Sequence, residues 1–136
     1  MRYSRIREGE IWDDPAGRHR VGCLDAAQTA DVSRLMLGEK AALAIQDPPY
    51  NQVAFEERNV AHFIDWCRHW IAVTDEALAE NASLYVWMGA DQKQDFQPLP
   101  DFMLMMRETG FRARSLITVR NQRGYGTLRN WMAVRQ

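Results

Sequence analysis

The feature that most constrains this chain is a pair of prolines placed directly after an apolar segment. The apolar run 41–45 leads through Gln46 into the tetrapeptide Asp47-Pro48-Pro49-Tyr50. Each proline removes a backbone donor and disfavours the helical conformation of the residue before it. The chain is therefore expected to leave a strand here in a stiff, extended loop, which we call the proline loop (residues 47–50). It carries a carboxylate, carbonyl groups and an aromatic ring, a combination that packing alone does not require.

Apolar periodicity predicts that strands and helices alternate along the chain. Continuous apolar runs predict buried strands, and apolar residues at three- and four-residue spacing predict amphipathic helices. The predicted strands cover residues 21–24, 41–46, 83–88, 111–120 and 131–134, and the predicted helices cover residues 29–37, 60–80 and 101–109. This order predicts an α/β fold with a mostly parallel sheet, an antiparallel edge made by the last two strands, and helices on both faces. Residues 1–20 are expected to form an irregular arm.

Two of the predicted loops should face the same crevice. In α/β sheets, ligands bind at the carboxyl ends of parallel strands. The proline loop follows one predicted strand, and the turn at residues 88–91 follows the next one along the chain. Asp91 in that turn could line the crevice or only cap the turn. The sequence therefore predicts an active site around the proline loop.

The proline loop has the groups needed to hold a planar amino group. The Asp47 carboxylate and the Pro48 carbonyl can each accept one hydrogen bond from the exocyclic amine of adenine or cytosine. Accepting both hydrogens draws the nitrogen toward a pyramidal geometry and frees its lone pair for attack. Pro49 would keep the loop rigid, and Tyr50 would offer a stacking face to a base withdrawn from the duplex. The alternative is a loop that merely leaves a strand, with Asp47 as a cap.

The C-terminal segment is basic, although the whole chain has a net charge of −1. No acidic residue follows Glu108, whereas six arginines do. This charge suits a surface that contacts phosphates, but a solvated edge strand protected by charge explains it equally well. The residues best placed to approach DNA are Asn121, Arg123, Tyr125 and Arg129.

Composition restricts the class of protein further. Hydrophobic residues make up 46% of the chain and charged residues 26%, as in an ordinary globular domain. No apolar stretch approaches the roughly 20 residues that span a bilayer. Cys23 and Cys67 offer no disulfide framework, which favours a reducing, cytoplasmic setting. His62 and His69 flank Cys67 on one predicted helix, but no further ligand follows at a suitable spacing, so no metal site is predicted.

Several segments resemble site-specific DNA methyltransferases that act on amino groups. The similar segments are residues 19–26, 32–35, 41–51, 83–87, 110–111, 120–126 and 130–136, which span nearly the whole chain and include the Asp-Pro-Pro-Tyr loop. Their order, with the catalytic loop near the N-terminus, is similar to the permuted β-type arrangement. The resemblance implies a Rossmann-like fold, S-adenosylmethionine as methyl donor, and direct transfer to adenine N6 or cytosine N4 in DNA. It also implies that Asp47 and Asp25 lie near the cofactor, with Leu24-Asp25 standing where the family usually has Gly-Asp.

Two parts of the family pattern are missing from these 136 residues. The sequence has no Phe-x-Gly-x-Gly cofactor loop and no target-recognition region, and Gly124-Tyr125-Gly126 is no substitute because no helix pattern follows it. Residues 21–136 are therefore interpreted as the catalytic half of a methyltransferase domain, which would need a missing C-terminal half or a second chain to bind the cofactor well. Apolar sheet edges left open would favour self-association. A catalytically silent nucleic-acid-binding module, or methylation of RNA or of a protein amide, is the alternative function.

Overall fold

The computed structural model describes residues 5–49, 59–90 and 95–118. Within them the chain forms three α-helices and four β-strands. In chain order these are β1 (Ile11–Asp13), β2 (Arg20–Gly22), α1 (Thr29–Met36), β3 (Ala41–Gln46), α2 (Val60–Ala77), β4 (Leu78–Val86) and α3 (Leu99–Met106). None of these helices combines the length and the apolar character needed to cross a membrane.

The strands form two separate pairs. Strands β1 and β2 are antiparallel, with Trp12 opposite Val21. Strands β3 and β4 are parallel. Ala41 is opposite Leu78, and after an irregularity in the register the pairing runs from Leu43 opposite Ser83 to Gln46 opposite Val86. Because α2 connects β3 to β4, these three elements form a βαβ unit, which is the building block of a parallel α/β sheet. The α/β class predicted from the sequence is confirmed.

Helix α1 ends where the sequence predicts it. Leu37 and Gly38 both have positive φ, 52° and 83°, a conformation that glycine adopts without steric cost. The Leu37 amide donates to the Ser33 carbonyl, which completes the last turn. The Arg20 side chain of β2 donates to the carbonyls of Arg34 and Leu35. The end of α1 is thereby fixed to the β1–β2 pair.

The hydrophobic core lies between α2, α3 and one face of the β3–β4 pair. Helix α2 is preceded by its N-cap residue Asn59, whose side chain accepts a hydrogen bond from the Ala61 amide at 2.8 Å. Its apolar face then contributes most of the core. The buried core residues are Phe63, Cys67, Trp70, Ile71, Phe102 and Met105, and the half-buried side chains of Leu84, Val86 and Met88 pack against them.

The prediction that the two central strands are buried is wrong for one of their faces. Leu43, Ile45, Tyr85 and Trp87 are 50%, 63%, 52% and 46% exposed. They alternate with Ala44, Gln46, Leu84 and Val86, which are half-buried on the side of α2. We call the exposed side the open face of the sheet (Leu43, Ile45, Tyr85 and Trp87). No described helix covers it, so the predicted arrangement of helices on both faces is not present among the described residues.

Three further predictions at the ends of the chain need correction or lie outside the described residues. Residues 111–118, predicted to begin a strand, have no regular structure, and Leu116 and Ile117 are exposed. An apolar run becomes a strand only when a neighbouring strand offers hydrogen-bond partners, and no described strand pairs with this run. The predicted strand at 131–134 lies outside the described residues. At the other end, the expected irregular arm at 1–20 contains β1 within its described part.

Candidate active site

The proline loop begins at the carboxyl end of β3, the position that the sequence predicts. Gln46, the last residue of β3, accepts a hydrogen bond from the Trp87 amide on its main-chain carbonyl at 2.9 Å. This bond extends the parallel pairing by one residue beyond Val86. The point at which the chain leaves the sheet is therefore fixed by the neighbouring strand.

The described part of the proline loop is accessible. The Asp47 side chain is exposed, and Pro48 and Pro49 are half-buried. Asp47 therefore does not lie locked within the packed interior, which would have prevented any contact with a substrate. Tyr50, the fourth predicted site residue, lies outside the described residues.

The carboxyl end of β4 lies beside the proline loop because β3 and β4 are parallel neighbours. Gln46 and Val86 are paired across the two strands, and they are followed by Asp47 and Trp87, respectively. The Trp87 indole is nearly half exposed. An exposed aromatic ring at this position can stack on a planar base. The predicted crevice residue Asp91 lies outside the described residues.

Trp87 was not among the residues that the sequence predicted for the site. Its apolar surroundings, Val86 and Met88, favoured a core position. The two-residue alternation of side chains along a strand is the signal that separates them, since Val86 and Met88 pack on the core whereas Tyr85 and Trp87 are on the open face.

Asp25, predicted to lie near the cofactor, is held in the turn before α1. One of its carboxylate oxygens accepts from the Ala27 amide at 2.9 Å, and its own amide donates to the Asp31 carboxylate at 3.1 Å. The side chain is exposed, so it can still accept a hydrogen bond from an amino or hydroxyl group. None of these hydrogen bonds joins Asp25 to Asp47. Helix α1, which follows Asp25, is connected to α2 by a hydrogen bond between Thr29 and Glu76. In its chemistry Asp25 fits a part of S-adenosylmethionine that bears such donors.

The predicted nucleic-acid contacts, Asn121, Arg123, Tyr125 and Arg129, all lie outside the described residues. Of the C-terminal arginines, Arg112 and Arg114 are described, and both are exposed. Their guanidinium groups are free to approach a phosphate as far as solvent access is concerned. The two explanations of the C-terminal charge therefore both stand as predictions.

The side chains considered as metal ligands differ in their exposure to solvent. His62 and His69 are exposed on α2, whereas Cys67 is fully buried in the core. Burial raises the pKa of the Cys67 thiol to about 12, an effect that the neighbouring Trp70 side chain partly offsets. Among the described residues, no group of three or more His, Cys, Asp and Glu side chains is arranged to hold a metal ion.

Comparison with protein-family models matches residues 41–135 to the N6/N4 DNA methylase family. The match begins at the first residue of β3 and includes the proline loop and the whole βαβ unit. The chain belongs to this family of DNA methylases. Neither the curated proteins nor the solved structures gave a significant match.

Proposed function

We propose that this chain takes part in S-adenosylmethionine-dependent methylation of the exocyclic amine of adenine (N6) or cytosine (N4) in DNA, with the proline loop as its catalytic segment. The observation that carries the proposal is the Asp-Pro-Pro-Tyr sequence placed at the carboxyl end of a parallel strand with its carboxylate exposed. Membership of the N6/N4 DNA methylase family supports the same reaction.

The role of the proline loop follows from the hydrogen bonds it can accept. The Asp47 carboxylate and the Pro48 carbonyl each accept a hydrogen bond from one N–H of the target amine. The nitrogen lone pair is thereby directed away from the ring system. Two successive proline rings restrict the backbone, so these acceptors are held in place before the base arrives. Tyr50 stacks on the base after it has left the duplex, and Trp87 offers a second aromatic surface beside Asp47. The gain in rate comes from orientation and preorganised charge.

S-adenosylmethionine, when bound, supplies the electrophilic methyl group. Of the described residues, Asp25 and Asp47 are the carboxylates proposed to lie next to it, and Asp25 accepts hydrogen bonds from its polar groups. The sequence contains no Phe-x-Gly-x-Gly segment, so we propose that residues outside these 136 positions, or a second chain, complete the cofactor site.

The first prediction concerns the Asp47 carboxylate. The Asp47→Ala variant removes one of the two acceptors of the amine, and loss of one preorganised hydrogen-bond partner costs on the order of a hundredfold in rate. Transfer of a labelled methyl group to unmethylated DNA measures the effect, with the protein tested alone and together with any polypeptide that completes the cofactor site. Asp65→Ala, an exposed aspartate on α2, is the matched control and is expected to retain the wild-type rate.

Survival of full activity in Asp47→Ala would disprove the amine-holding role. DNA binding that weakens steeply with salt, without any methyl transfer by the wild type even when the cofactor site is completed, would instead favour a catalytically silent binding module. Transfer to RNA or to a protein amide but not to DNA would identify the other alternative. Analysis of the methylated nucleosides distinguishes adenine from cytosine.

A further inference from the structure

We propose that Gln46 and Thr74 are positioning residues that fix the proline loop to the core of the protein. The inference rests on the proposed function, because the loop is the segment that would hold the target amine. Gln46 is adjacent to Asp47 in the chain, and Thr74 lies in the last turns of α2. Neither side chain belongs to the Asp-Pro-Pro-Tyr motif, and neither was a predicted site residue.

A chain of two hydrogen bonds connects Gln46 to the core. The Gln46 side-chain amide donates to the Thr74 hydroxyl at 3.0 Å. The Thr74 hydroxyl in turn donates to the Trp70 carbonyl at 2.7 Å. Because a hydroxyl has a single proton, this second bond leaves its lone pairs to accept from Gln46, so the direction of the chain is defined.

Thr74 and Trp70, the residues to which these two hydrogen bonds lead, are held in the core. Thr74 is only 6% exposed, and it is the one polar side chain among the buried residues described. The Trp70 ring is buried and stacks on Phe102, with ring centroids 6.0 Å apart and planes inclined by 16°. The Gln46 side chain, which is hydrogen-bonded to Thr74, is therefore restricted in its motion. Gln46 is therefore attached to the hydrophobic core formed by the described residues.

The main chain of Gln46 is held from the other side. Its carbonyl accepts from the Trp87 amide at 2.9 Å, so Gln46 is fixed both to β4 and to α2. Asp47 is the next residue, and its Cα follows that of Gln46 at about 3.8 Å. A displacement of the Gln46 backbone therefore also shifts the backbone position from which the Asp47 side chain extends.

The identity of residue 46 is unusual for its place. The preceding residues of β3 are all alanine, leucine or isoleucine, and position 46 is on the face covered by α2. An apolar side chain would fit this face, whereas an amide there is unfavourable unless it is hydrogen-bonded. The pairing with Thr74 satisfies this requirement and gives the amide a defined position directly before the loop.

Loss of the anchor is expected to lower the rate of methyl transfer more than substrate binding. A displacement of about 1 Å at a reacting group can cost on the order of a hundredfold in rate. The main-chain bond to Trp87 remains when the side-chain bond is removed, so we expect a smaller loss, about tenfold in kcat. The KM for DNA should change by less than about twofold, because most contacts that hold DNA are made to its phosphates.

The test uses matched substitutions at both ends of the side-chain bond. Thr74→Val keeps the shape of the side chain but removes the hydroxyl, whereas Thr74→Ser keeps the hydroxyl. Gln46→Met keeps the length of the side chain but removes the amide. We expect Thr74→Val and Gln46→Met each to lower kcat about tenfold. Thr74→Ser should keep the wild-type kcat. The double variant should be no worse than either single variant, because both substitutions remove the same hydrogen bond.

A second measurement does not depend on activity. Hydrogen exchange of the Trp87 amide, followed by NMR, reports on the bond to the Gln46 carbonyl. We expect exchange about tenfold faster in Thr74→Val and in Gln46→Met than in the wild type. Thr74→Ser should exchange at the wild-type rate.

These outcomes separate failure of the inference from failure of the proposed function. A wild-type kcat in Thr74→Val, with the wild type active on DNA, overturns the inference and leaves the proposed function intact. If the wild type transfers no methyl group even with a polypeptide that completes the cofactor site, the proposed function fails, and unchanged Trp87 exchange in both variants then overturns the anchor as well. Should Thr74→Val fail to fold by circular dichroism, Gln46→Met gives the same decision, since Gln46 is only half-buried.

Discussion

Cys67 and Cys23 are the two thiols of the chain, and their environments are opposite: Cys67 is buried and Cys23 is exposed. Since the thiolate is the reactive form, raising the pKa of Cys67 from 9.0 to about 12 keeps this group inert at neutral pH. We expect a thiol reagent at pH 8 to modify one thiol in the native protein and both after denaturation. In Cys23→Ser, native modification should fall to zero. Rapid modification of Cys67 in the folded protein would contradict the packing of the core.

The same shift sets the direction of one pH effect on stability. Above pH 9 the unfolded chain loses the Cys67 proton while the folded chain retains it until about pH 12. The unfolded state then binds fewer protons, so the free energy of unfolding falls as pH rises through this window. The contribution of Cys67 is therefore complete below about pH 9 and lost at strongly alkaline pH. Comparison with Cys67→Ala by urea denaturation across this range isolates the contribution.

Candidate site residues could be proposed from the sequence to the extent that they form a contiguous motif. Asp47 was predicted as a site residue because two prolines restrict the conformation of the loop that it begins; the structure shows that its side chain is exposed, and its role stays a prediction. Thr74 was not found, because a threonine on the apolar face of α2 has no sequence signal until its partner Gln46 is known. Thr74 is buried and Gln46 is half-buried, and this difference depends on tertiary packing.

The boundaries of α2 show how far local sequence determines an element. Its predicted start at Val60 is confirmed, since Asn59 is a strong N-cap residue. Its predicted end at Glu80 is wrong, because the helix ends at Ala77 and β4 begins at Leu78. Leu78 continues the helical spacing, but it pairs instead with Ala41 across the sheet. A contact with a residue far away in the chain overrides the local pattern.

The start of α2 provides a prediction on stability. The Asn59 side chain satisfies the Ala61 amide, one of the donors that have no partner in the first turn. Asn59→Ala removes this acceptor and should lower the free energy of unfolding by about 1 kcal/mol. Asn59→Ser retains an acceptor and should stay within a few tenths of a kcal/mol of the wild type. Urea denaturation measures both, and equal stability of the two variants would show that the cap contributes nothing.

At the scale of the molecule, the parallel pairing of β3 and β4 was predictable, whereas the open face was not. Two apolar runs connected by a long amphipathic helix leave a parallel βαβ unit as the natural arrangement. Continuous apolar runs such as 41–45 also suggest burial on both faces. Whether the second face is covered depends on segments that lie elsewhere in the chain or in another molecule. Leu43 and Ile45 carry no signal that distinguishes these cases.

The open face leads to the last prediction, that the isolated chain associates with itself through it. Its four large side chains are adjacent across two paired strands, and contiguous exposed apolar surface of this kind favours contact between molecules. Ile45→Lys places a charge in the middle of this surface and should shift the sedimentation velocity of the protein at high concentration toward that of a monomer. Because Ile45 is already 63% exposed, the free energy of unfolding should change by less than about 0.5 kcal/mol. Leu104→Lys adds the same charge at a 56% exposed leucine of α3, away from the open face, and should leave association unchanged. An equal effect of both substitutions would mean that net charge, rather than the open face, controls association.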